Sequence, residues 1–101
     1  MKNNLSQAKQ LIQECCKTQN PFLDLGNCGI TDLNELPELF ECTYLETLIL
    51  SNQWIDSKTG KLIKSQNKGF QNHIKLLSSN IVKLLNLKNI SIRGSYYWGV
   101  Y

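Results

Sequence analysis

The chain has 101 residues, 42% of them hydrophobic and only two of them proline, which suits one small domain with a modest core. No apolar run is long enough to span a bilayer, and the opening "MKNNLSQAKQLIQECC" is too rich in Asn and Gln for a signal peptide, so a cytoplasmic location is expected. The net charge of +3 is unevenly divided: residues 1–50 hold three lysines against seven acids, and residues 51–101 hold seven lysines and Arg93 against Asp56 alone. A two-ended charge distribution of this kind serves an acidic partner, head-to-tail self-association or simply a solvated surface.

Leu5, Ala8, Leu11, Ile12, Cys15 and Cys16 recur at intervals of three and four, which predicts an amphipathic helix over residues 4–18. Asn4 and Gln7 have the spacing of a capping box, and "TQNP" ends the helix because proline disfavours the helical conformation of the residue before it. The alternation in "FLDLGNCGI" then predicts a short strand with Leu23 and Leu25 inward, followed by a turn at Gly26 and Gly29. In "LETLILSNQWI", Leu48, Leu50 and Ile55 take the places of Leu23, Leu25 and Ile30, an offset of 25 residues. In "LKNISIRGSYY", Ile90 and Ile92 take the strand positions again, 42 residues after Leu48 and Leu50. The preceding segments agree: Leu39, Phe40, Cys42 and Leu45 match Ile81, Val82, Leu84 and Leu87 at the same offset of 42. The longer interval predicts an insertion of 17 residues, about 56–72, that loops out of the fold before "HIKLLSSNIVKLL" resumes the pattern.

Cys15, Cys16, Cys28 and Cys42 form no C-x-x-C pair, and His73 is far from them in sequence, so they read as buried free thiols and no metal or cofactor is expected. A single His, scattered carboxylates and no phosphate-binding loop provide no nucleophile, base and oxyanion donor in combination, which argues against an enzyme.

A repeat in the twenties with the pattern L-x-x-L-x-L-x-x-(N/C)-x-L resembles the leucine-rich repeat, with Cys28 at the Asn/Cys position and Gln53 and Ser95 departing from it. The helix, "LDLGNCGIT" and "LPELFECTYLETLILSN" are together similar to the opening repeats of larger bacterial leucine-rich-repeat signalling proteins. The resemblance implies an α/β fold: a short leucine-rich-repeat solenoid with an N-terminal capping helix (1–19), repeats at 20–44, 45–86 and 87–101, about three parallel strands and convex-side helices. The competing fold is a small α+β domain in which three strands happen to look alike.

The resemblance also implies a non-enzymatic protein-interaction module that binds through its concave sheet face. The outward strand positions there are Asp24, Gly26, Ile49, Ser51, Ser91 and Arg93. Ile49 reads either as an apolar contact or as one exposed apolar residue of no consequence. Trp54, beside the second strand, and Tyr96, Tyr97 and Trp98 in the aromatic tail complete the expected protein-binding set. The tail either folds back over the third repeat, pairs with another strand or stays exposed, and it offers a route to a homo-oligomer. The alternative is a module for nucleic acid or another anionic surface that uses Lys58, Lys61, Lys64 and Lys68. No membrane partner is expected.

Overall fold

The computed structural model describes residues 5–56, 58–74 and 78–92, together with the backbone of 95–98. Its elements are helix α1 (Ser6–Thr18) and strands β1 (Phe22–Asp24), β2 (Thr47–Ile49), β3 (Gln53–Ile55), β4 (Leu62–Lys64), β5 (Asn89–Ile92) and β6 (Ser95–Trp98), with 3-10 turns at Leu33–Glu35, Pro37–Glu41 and Ser79–Lys83. The fold is thus mixed α/β, with one α-helix and a parallel sheet of three strands.

Helix α1 buries Ala8, Ile12 and Cys15, members of the expected stripe. It ends where Gln19 takes a left-handed conformation (φ 55°) and returns its N–H to the Cys15 carbonyl, two residues before Pro21. The N-cap is Leu5, with no side-chain cap, and Asn4 lies outside the described residues. The Gln7 amide donates to the carbonyls of Lys68 and Asn27, at 3.2 and 3.5 Å, which ties the helix to a distant part of the chain.

Strands β1, β2 and β5 are parallel, in the register Leu23↔Leu48↔Ile90. These are the offsets of 25 and 42 residues between the matching apolar segments of the sequence. The backbone of β6 adds antiparallel to β5, giving the order β1-β2-β5-β6, so this part of the tail pairs with another strand. Leu23, Leu25, Leu48, Leu50 and Ile90 form the core with Ile12, Leu39, Leu45, Ile81 and Leu87. The elements leading into β2 and β5 are single 3-10 turns, also 42 residues apart. They repeat one hydrogen-bond scheme: Cys42 N–H to the Leu39 carbonyl and Leu45 N–H to Cys42, then Leu84 N–H to Ile81 and Leu87 N–H to Leu84.

Two expectations need correction. The four thiols are not all free, because the packing of α1 against the second 3-10 turn joins Cys16 to Cys42 in a disulfide and leaves Cys15 and Cys28 as buried free thiols. Nor does the insertion loop out. β3 and β4 form an antiparallel hairpin, and residues 65–73 then run back along the turn that follows β1.

Two asparagine side chains hold that return segment. The Asn67 amide donates to the carbonyls of Asp24 (2.9 Å) and Gly26 (3.0 Å). Asn72 donates to the carbonyls of Leu25 and Leu50, each at 2.8 Å, and its Oδ1 accepts the N–H groups of Ile30 (2.7 Å) and Cys28 (3.2 Å). Main-chain bonds from Gly29 N–H to the Phe70 carbonyl and from His73 N–H to Ile30 complete the seam. Folding would otherwise leave these turn groups away from water without partners, at a cost of about 1–3 kcal/mol each.

Two stability measurements follow. Asn72→Ala should lower the urea-unfolding free energy by about 3 kcal/mol or more, since four backbone groups lose one shared partner. Reducing the disulfide, or Cys16→Ser, should cost about 3 kcal/mol, as expected for a cross-link spanning 26 residues, and should lower Tm by more than 10 °C.

Candidate partner-binding surface

The expected concave contact surface is largely closed. Ile49 is fully buried, and so are its sheet neighbour Ser91 and the following Ser51. Leu48 is buried as well, and successive strand residues face opposite ways, so both faces of the sheet are covered at β2. Phe22 shares the face of Asp24, and the Trp54 ring packs on Phe22 with centroids 5.7 Å apart, so the chain leaving β2 returns beside β1.

The serines are committed internally. Ser51 Oγ donates to the Gln53 carbonyl at 2.6 Å. That uses its one proton, so in the 2.7 Å contact between the two hydroxyls Ser91 must be the donor. Arg93 lies outside the described residues, and only the backbone of Tyr96, Tyr97 and Trp98 is placed, in β6.

Trp54 is turned inward, 8% exposed, opposite Ile63 in the hairpin. Ile55, expected in the core, is 40% exposed beside Leu62, because Trp54 takes the buried face of β3 and pairing places its neighbours outside. Lys58, Lys61, Lys64 and Lys68 are all exposed. At the hairpin tip the Asp56 carboxylate accepts from Lys58 N–H and Thr59 Oγ1, and Gly60 adopts φ +72° with open space around it.

The hairpin also builds a groove. A cavity of about 480 Å³ lies between α1, β1 and the hairpin, with Leu11, Phe22, Leu23, Trp54 and Ile63 as its apolar walls and Glu14, Asp24 and Lys64 among its polar groups. β1 is the edge strand of its sheet. Leu25 N–H reaches Ile49 and Thr47 N–H reaches Pro21, so the odd-numbered residues of β1 point their backbone groups at β2 and the even-numbered ones point away from it. Phe22 N–H is held by Asn20 Oδ1 and the Asp24 carbonyl by Asn67. The Phe22 carbonyl and the Asp24 N–H remain as the edge groups that an added strand would use.

Gly26 allows this close packing. A Cβ there would collide with the Ser51 carbonyl and lie 2.9 Å from the Ser65 Cβ. Gly26→Ala should therefore separate the return segment from β2 and lower stability by about 2 kcal/mol, within the range for overpacking, as thermal denaturation would show.

The free thiols are poorly suited to reaction. Burial, and secondarily the charge of Asp24, pushes Cys28 up to about 12, and burial raises Cys15. A folded pKa above the unfolded one favours the neutral thiol, so this contribution to stability is complete below the unfolded thiol value of about 8.5 and disappears as pH rises through about 12. Both thiols should resist iodoacetamide at pH 8 in the native protein and react fully in urea, as read by mass spectrometry. Among the described residues no three His, Cys, Asp or Glu side chains are grouped to hold a metal ion.

Sequence reasoning missed Phe22, Ile63, Asn67 and Asn72. The two asparagines lie in an aperiodic polar stretch that looks like solvated loop, and only their spatial placement reveals their role. Compared with known proteins, the chain matches no family model, and no curated protein or solved structure matches it either.

Proposed function

We propose that this chain is a non-enzymatic protein-interaction module, built on a short stack of leucine-rich-repeat type, that takes its partner in the groove beside β1. The groove carries this reading: an edge strand with free ladder groups is flanked by apolar walls from Leu11, Phe22, Trp54 and Ile63. Such a site suits an extended partner segment, whose main chain would pair with β1 while alternate side chains enter the apolar space. The repeat offsets, the matched 3-10 turns and the helix over the first strand support the leucine-rich-repeat reading of the scaffold. The covered concave face moves the contact surface from Ile49, Ser51 and Ser91 to the groove, where Asp24 and Trp54 remain.

Binding of single-stranded nucleic acid finds less support. Its lysines and Phe70 are exposed, but Trp54, another candidate for stacking on a base, is packed on Phe22.

Affinity capture from cells that produce the protein tests the groove. Phe22→Ser alters an exposed wall residue, and it should reduce recovery of a specific partner at least tenfold while the circular-dichroism spectrum is retained. Equal recovery by both proteins would remove the groove from consideration.

A further inference from the structure

We propose that the outer face of the β3–β4 hairpin docks onto a second copy of this chain, in a recess edged by Glu38 and Glu41, so that molecules associate head to tail. This goes beyond the groove reading and uses a different surface. The docking face has an apolar centre, Ile55 and Leu62, paired across the hairpin and 40% and 54% exposed. Lys58 and Lys61 lie at the tip. The tip carboxylate, Asp56, is engaged within the tip itself by Lys58 N–H and Thr59 Oγ1, so the face is apolar with a cationic end.

The complementary surface lies in the first half of the chain. Ile12, Gln13, Cys16, Lys17, Glu38 and Glu41 line a recess of about 380 Å³. Glu35, on the preceding 3-10 turn, adds a third exposed carboxylate nearby in the chain, and Lys17 is the one cation of the rim. Intramolecular pairing does not consume these charges: among the described residues the one ion pair is Lys88 with Glu46, at 3.7 Å.

Geometry sends the contact to another molecule. Leu11, Glu14, Cys15 and Thr18 of α1 face the groove on the hairpin side. Ile12, Gln13, Cys16 and Lys17 face the recess. The hairpin and the recess therefore flank opposite sides of the same helix, and a molecule is not placed to fill its own recess. Such a contact is heterologous: it leaves a free hairpin at one end and a free recess at the other, so association continues past the dimer. The face is small, so the contact is weak and salt-sensitive.

Sedimentation velocity of the whole chain tests this at concentrations up to about 1 mM, where contacts of such small area become populated. The weight-average mass should rise with concentration at low ionic strength, and the association constant should fall about tenfold in 0.5 M salt. Lys58→Glu/Lys61→Glu and, separately, Glu38→Lys/Glu41→Lys alter exposed positions and should keep the wild-type circular-dichroism spectrum. Each should lower self-association at least about 100-fold, because like charges would then face each other. Mixed together, the two variants should associate again, in alternation, through reversed hairpin on reversed recess and native hairpin on native recess. Phe22→Ser should leave self-association unchanged, which separates this contact from the groove. A wild type that stays monomeric throughout, variants that associate like the wild type, or a mixture that fails to associate would overturn the proposal. Capture of a monomeric wild type by anionic phospholipid vesicles would do the same, by assigning the hairpin to another acidic surface.

Discussion

The structure depends on how the turn after β1 satisfies its buried backbone. Between Leu25 and Ile30 the chain turns, mostly buried and without regular secondary structure to pair its polar groups. One side chain, Asn72, accepts two N–H groups and donates to two carbonyls, one of them Leu50 at the end of the neighbouring strand segment. It joins three separate stretches of sequence at one point. The amide suits this role because it presents donors and an acceptor side by side in one plane.

Several features follow from that bond set. For Asn72 to reach the turn, the segment after the hairpin must return along β1, and this draws Asn67 onto Asp24 and Gly26 and the Gln7 amide onto Lys68. The same return path holds the hairpin beside the sheet, with Trp54 against Phe22. The groove beside β1 and the exposed Ile55–Leu62 pair are two consequences of one folding decision: Trp54 and Ile63 turn toward the protein and their neighbours turn away.

Much of the scaffold was legible in the sequence. Strand register is set by which residues must face the core, so Leu23, Leu48 and Ile90 align as the apolar repeat requires. The 3-10 turns align for the same reason. What resisted reading was polar and tertiary. Asn67 and Asn72 act through side-chain amides, which leave no period in a sequence. Cys16 and Cys42 meet because two elements pack together, and spacing alone cannot indicate that. Ile49 was misread because the alternation rule says which way a side chain points but not what lies on that side. Ile55 was misread because the core repeat was extended past β2 into a hairpin with its own inside and outside.

The inserted segment is part of the folded core through Asn72 and is no dispensable loop. Native-state amide hydrogen exchange tests it most directly, because Cys28 and Ile30 N–H are bonded to Asn72 Oδ1, whereas Leu25 and Leu50 N–H are bonded within the sheet, to Ile49 and Ser91. All four amides should exchange only through the same cooperative opening, with matching protection. Fast exchange at Cys28 and Ile30 while Leu25 and Leu50 stay protected would contradict it.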